Sequence, residues 1–346
     1  MNELQLQHLT WFDVMKTKYW YIILLFLIVS CTESEGYKKK LKVPCKNLEP
    51  QEVEIIEFNK VLFAIDTANF EEEYRALLPL YPEILYDDPD AAMLRDMKEF
   101  VSDTFLLRIN ELVNETFPNI ELVADEVKDV YQHYKYYFPD WTVPPTFACV
   151  SGVYYNRPVS IGDESIMIGL DYYLSNKDLV YDRVGLPRYM SRRCQPIALT
   201  RDLAEELYYH TNGKRVNQKS VLAEMIEQGK HYYFIEAMNP SLPDSVILGY
   251  SGRQMEWADD NEGQVWATVV GNDMLFNNDL KMRRMLFNDG PFTSAFSDQA
   301  PARLGDYLGL KIVRSFMSNN DETLTTLLKM NDYQDILQRS QYKPRK

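Results

Sequence analysis

Asp202, Glu206 and His210 are the most compact set of chemically active side chains in the sequence. Residues four apart share one face of a helix, and two carboxylates with an imidazole are the right kinds of group for a divalent cation. They lie in PIALTRDLAEELYYH, Pro196 to His210, where Leu199, Leu203 and Leu207 supply the inward stripe of an amphipathic helix. A plainer explanation competes. Thr200 caps the helix, Asp202 occupies the first turn where negative charge suits the dipole, and Glu206 with His210 makes an ordinary exposed pair. Acidic helix faces far outnumber metal sites, so the solvated face is the preferred reading.

Glu262 is the other unusual carboxylate. A helix predicted over 252–271, opened by the capping-box pattern Ser251-Gly252-Arg253-Gln254, turns Met255, Ala258, Val265, Trp266 and Val269 inward, and Glu262 falls among them. A carboxylate there needs a partner, so an ion pair with Arg303 or Arg314 is expected. In a metal arrangement it would instead add a ligand to Asp202, Glu206 and His210. Other site chemistries find no pattern. There is no G-x-S-x-G elbow, no phosphate-cradling glycine loop and no C-x-x-C pair, and His133, His210 and His231 have no nucleophile signature beside them. No cofactor is expected.

The elements that must position these residues are mostly helical. Periodicity predicts helices over 71–80, 91–113 and 124–137, then 220–238, 252–271, 301–317 and 322–338, with Pro301 at a first helical position. Between the two groups, the apolar runs 146–150 and 165–170 read as a hairpin or as adjacent strands of a small sheet just before the helix of Asp202. Gly229, Gly305 and Gly309 suit close helix packing in a soluble core, because Arg303, Asp306, Lys311 and Arg314 interrupt the second pair. The many tyrosines are read as core and rim, and alternatively as a protein-binding or glycan-binding surface. The fold class is α+β, helix-rich with a small sheet. Residues 51–346 form one body, with 51–138 its helical N-terminal part and 139–346 the remainder.

Acidic residues number 51 against 37 basic ones, for a formal net charge of −14. That balance argues against nonspecific nucleic-acid binding, which needs clustered cations. Lys16 and Lys18 precede an apolar run from Tyr19 to Val29, shorter than the roughly 20 residues that span a bilayer. The run closes in Ile28-Val29-Ser30-Cys31 and resembles the lipobox of bacterial lipoproteins. The resemblance implies a signal peptide over 1–30, cleavage between Ser30 and Cys31, and lipid on Cys31. Residues 1–14 lack the basic start of such a signal, which suggests initiation at Met15. Residues 31–50 then read as a polar tether holding the body off the membrane. Cys45, Cys149 and Cys194 remain, enough for one disulfide at most.

Several stretches carry a wider resemblance: YYFPDWTVP (136–144), SIMIGLDYYL (165–174), AEMIEQGKHYY (223–233), LGYSGRQMEWADDNEGQVW (248–266), PARLGDYLGLKIVRSFM (301–317) and the terminal SQYKPRK. Taken in order with the lipobox, they resemble the GldB-type gliding-motility lipoproteins of Bacteroidetes. The resemblance implies an envelope lipoprotein, membrane-bound through its lipid, whose partners are protein components of the gliding or adhesin-secretion machinery, with no established enzymatic activity. A second resemblance is to the zincin class of metallopeptidases, in which the helix after the sheet carries H-E-x-x-H. On that pattern the histidines fall on Arg201 and Glu205 and the glutamate on Asp202, so the body is expected to be zincin-like without an intact metal motif. The function expected is therefore a non-enzymatic binding or scaffold component. The alternatives are a metal-dependent envelope hydrolase and an envelope chaperone or glycan-binding module.

Overall fold

A computed structural model describes residues 36–45, 53–213, 220–293 and 295–345. Ser30, Cys31 and the segment read as a signal peptide lie outside the described residues. Eleven of the described helices have eight residues or more: α1 Phe70–Leu77, α2 Ala91–Ser102, α3 Thr104–Thr116, α4 Ile120–Tyr137, α5 Leu199–Asn212, α6 Val221–Met238, α7 Gly252–Asp260, α8 Glu262–Gly271, α9 Leu280–Phe287, α10 Leu304–Asn319 and α11 Tyr333–Ser340. Four short strands accompany them: β1 Ile55–Glu57, β2 Thr146–Cys149, β3 Val159–Ile161 and β4 Ile166–Gly169. The α+β class and the predominance of helix agree with the expectation.

The sheet runs β1-β2-β4-β3. The two strands read from the sequence are neighbours, but parallel, with Thr146 opposite Ile166. The hairpin is made by β3, which pairs antiparallel to β4. It closes where Gly162 N–H donates to the Ser165 carbonyl at 2.8 Å. Parallel β1 joins the other edge, so the N-terminal helical part shares one sheet with the rest of the body.

Three predicted helices are interrupted, two of them by polar caps. Asp103 accepts from the amides of Phe105 and Leu106 and divides 91–113 into α2 and α3. Asn261 departs from helical geometry at φ −110° and separates α7 from α8, placing Glu262 at the start of a helix rather than inside one. Thr323 and Asp332 each cap their own helix, so 322–338 becomes Leu324–Lys329 and α11. Pro301 lies before α10, which begins at Leu304 after Arg303 adopts a left-handed φ of 58°. α9, capped by Asp279, was not anticipated.

At the centre α6 crosses α10. All of α6 except Glu227 is buried, and so is most of α10. A Cβ on Gly309 would overlap the Met225 carbonyl oxygen, and one on Gly229 would overlap the Gly309 carbonyl. Gly305 is equally tight against the Phe287 ring. These are the close approaches expected of the three glycines. Cys45, Cys149 and Cys194 are buried free thiols, with no disulfide among them. Backbone cannot rotate aside as a side chain does, so Gly309→Ala is expected to lose about 3 kcal/mol or more in urea denaturation. Loss below about 0.5 kcal/mol would mean that the helices separate freely.

Candidate functional site

α5 is built as its sequence pattern demands. Leu199, Leu203 and Leu207 are buried to within 1% of complete, and the helix follows a 3₁₀ turn at Pro196–Ala198. The expected Thr200 cap does not form. Thr200 lies inside the first turn, and its hydroxyl accepts from Asn239 Nδ2 at 3.1 Å.

The face expected to be solvated is not uniform. Asp202 is buried at 5% exposure, Glu206 is half-buried and His210 is exposed. Asp202 uses both oxygens inside the protein. Oδ1 accepts from Arg201 at 2.5 Å and Oδ2 from the Tyr173 hydroxyl at 3.1 Å. Glu206 faces Arg157 at 3.4 Å. Glu262 joins neither this face nor the expected arginines. It accepts from Tyr307 at 3.0 Å and Tyr342 at 2.8 Å, with Lys311 4.0 Å away. Arg314 is committed to Glu236 and to both oxygens of Asp244, and Arg303 to Tyr232, Asp289 and the Leu248 carbonyl. Among the described residues no three His, Cys, Asp or Glu side chains form a group that would hold a metal ion.

What α5 does form is one wall of a polar cavity of about 430 Å³. Arg201, which the metallopeptidase pattern puts at a histidine position, bridges the acids beside it: 2.5 Å to Asp202 and 3.3 Å to Glu205. Glu205 also faces His231 Nε2 at 3.4 Å, from α6. Beside His231, Tyr232 donates to Asp306 at 3.0 Å and accepts from Arg303 at 2.7 Å. Arg303 Nε lies 3.2 Å from Asp289, which Arg193 clasps with both terminal nitrogens at 2.7 and 2.9 Å. Gly249, at φ 66°, closes this arm between Arg193 and Arg303, where a Cβ would crowd both guanidinium groups.

A second cavity of about 290 Å³ adjoins the first and shares Arg193 and Arg201 with it. Its wall is more apolar, from Ile197, Ala198, Val246, Tyr250 and Ala302. Ile197 is half exposed at this cavity.

Burial and charge divide the acids of the cleft. Burial pushes the Asp202 carboxyl up to about 6, against the pull of Arg201. Burial also works to raise Glu205, but Arg201, His231, Arg303 and Arg193 together outweigh it and leave that carboxyl lowered. Asp289 is lowered likewise, burial being overcome by Arg193 and then Arg303.

Sequence reading named Arg201 and Glu205 only as missing ligands, and it missed Arg193, His231, Tyr232, Asp289, Arg303 and Asp306 as parts of one site. A usable signal existed in α6. Its apolar residues run all round the helix, so Glu224, Gln228, Lys230, His231 and Glu236 had to be buried with partners.

The family described as Gliding motility protein GldB matches residues 38–344. The chain belongs to that family. No curated protein and no solved structure matches it. The match takes in every residue of the cleft, and among the described residues no helix is long and apolar enough to cross a membrane.

Two outcomes test the electrostatics of the cleft. Arg201→Ala leaves Asp202 and Glu205 without their shared cation and is expected to cost about 3–5 kcal/mol. Protonation relieves part of that, so the deficit in urea melts grows from pH 5 to pH 8. Asp202 has a folded-state pKa above its unfolded value, so the folded protein holds the extra proton between about pH 4 and 6. Its contribution to stability falls as pH rises through that window. Asp202→Asn should flatten the pH dependence there, by at most about 1.4 kcal/mol per pH unit; an unchanged slope would place the titration elsewhere.

Proposed function

We propose that the chain is a lipid-anchored component of the gliding-motility apparatus, and that its body is a non-enzymatic binding or scaffold part. Its cleft receives a protein segment of the gliding or adhesin-secretion machinery. Membership of the GldB family supports the process. The lipobox-like Ile28-Val29-Ser30-Cys31 supports the anchor, with residues 1–30 removed, lipid on Cys31 and the body outside the cytoplasm.

The observation that carries the non-enzymatic reading is Arg201. In a zincin-like body, helix α5 would present two imidazoles to zinc and a carboxylate as general base toward the water in the metal's open position. Here a guanidinium, which stays charged and only donates, neutralises Asp202 and Glu205 from within the same helix. The order of mixed sheet, α5 and α6 supports the zincin-like comparison. Exchange of metal ligands for an internal ion pair fits a cleft kept for recognition. A polar compartment beside an apolar one, with Ile197 exposed at the second, suits a peptide that carries both kinds of side chain.

A photo-crosslinking residue at Ile197 in cells of the source organism is expected to trap one defined envelope protein, and the same residue at exposed Leu80 is not. A heterogeneous smear at Ile197 would point to a chaperone instead. Elemental analysis after gentle purification is expected to find no stoichiometric zinc; one zinc per chain would reverse the non-enzymatic reading. Cys31→Ala should abolish labelling by radioactive fatty acid, and persistent labelling would remove the anchor.

A further inference from the structure

Residues 31–50 read as a tether, yet part of that segment belongs to the folded body. Gly36–Leu41 is a helical turn with Tyr37 and Leu41 buried. The Tyr37 amide donates to Ser318 Oγ at 3.1 Å, and its ring packs under the Arg314 guanidinium, 5.1 Å from the ring centre. Lys40 turns inward, donating to the carbonyls of Asn320 and Glu322, with Asp321 3.9 Å away. This pinning leaves Lys38, Lys39 and Lys42 exposed, in a segment GYKKKLK that has no acid of its own.

Cys31 precedes Gly36 by five residues. Fully extended, that stretch of chain reaches about 18 Å at most. An acyl group on Cys31 therefore cannot hold Gly36 far from the bilayer surface, whatever path residues 32–35 take. We propose that the face bearing Gly36–Lys42 docks on the membrane, with Lys38, Lys39 and Lys42 against anionic phospholipid headgroups. The inference rests on the lipid-anchor reading above. α10 relates this face to the cleft. Ser318 holds Tyr37 near the end of the helix and Asp306 lines the cleft near its start, about 18 Å apart along the axis. Docking of this face thus fixes where the cleft sits, about 18 Å along α10 from Ser318. The three lysines are worth anchoring strength near an anionic leaflet, because each falls within a Debye length of the headgroups.

The test uses the acylated full chain reconstituted in vesicles of phosphatidylcholine with phosphatidylglycerol. A fluorophore on Lys39→Cys is expected to be quenched strongly by headgroup spin-labelled lipid. One on Tyr154→Cys, beside the cleft residue Tyr155, is expected to be quenched several-fold less. Lys38→Glu combined with Lys42→Glu should reduce quenching at position 39, as should vesicles of phosphatidylcholine alone. A Gly-Ser insertion of about 20 residues between Glu35 and Gly36 lengthens the reach. It should leave quenching at 39 intact with the lysines present and abolish it in the double variant. Equal quenching at 39 and 154, or no response to charge reversal and lipid charge, overturns the docking. Mass spectrometry of the N-terminal peptide separates the two readings: absence of acyl groups on Cys31 sinks the anchor, whereas acylated protein unquenched at 39 sinks only the docked face.

Discussion

The backbone contact between α6 and α10 is the constraint on which the rest of the body depends. With Gly229 and Gly309 facing one another, the two helices come closer than any side chain would permit, and both are buried along most of their length. Their polar residues are largely withdrawn from bulk water and are satisfied by one another or by neighbouring elements. That requirement shapes two parts of the body. Near the start of α10, Arg303 and Asp306 meet Tyr232 of α6 and form a wall of the cleft. Farther along, Arg314 meets Glu236 of α6 and Asp244, and its other face carries Tyr37. One packing decision therefore sets a wall of the cleft and the seat of the N-terminal segment.

The cleft is a polar cavity whose charges are already paired. A guanidinium that bridges Asp202 and Glu205 delivers to the two acids the positive charge that each needs when buried. A metal exchanges ligands and polarises water, whereas a guanidinium keeps its proton and its geometry. Such a site holds its shape and charge pattern constant. Asp202, raised by burial, is the weak point of that constancy near mild acidity.

Glu262 shows the same economy of pairing in another part of the core. Two tyrosine hydroxyls take its two oxygens, and Tyr342 stacks edge-on against Trp266. The carboxylate thereby fastens the C-terminal segment to α8 and α10. The sequence marked this residue correctly as one that needed partners. It pointed to arginines because a buried acid is commonly matched by an opposite charge, and the tyrosines are matched to it only through the fold.

The sequence by itself determined the family, the helix-rich α+β class, the inward stripe of α5 and the role of the glycines in close packing. Each of these rests on local periodicity or on motifs read along the chain. It also showed that the two imidazoles of a metallopeptidase helix are absent, because Arg201 and Glu205 are visible without any fold. Helix boundaries were less legible where the Asp103 cap or a non-helical backbone at Asn261 interrupts a continuing apolar pattern. What only the tertiary structure decided is which buried charge meets which. Asp202 and Tyr173 are 29 residues apart, Arg303 and Tyr232 are 71 apart, and Glu262 and Tyr342 are 80 apart. Pairings over such separations are set by which helices pack together, and no local pattern encodes them.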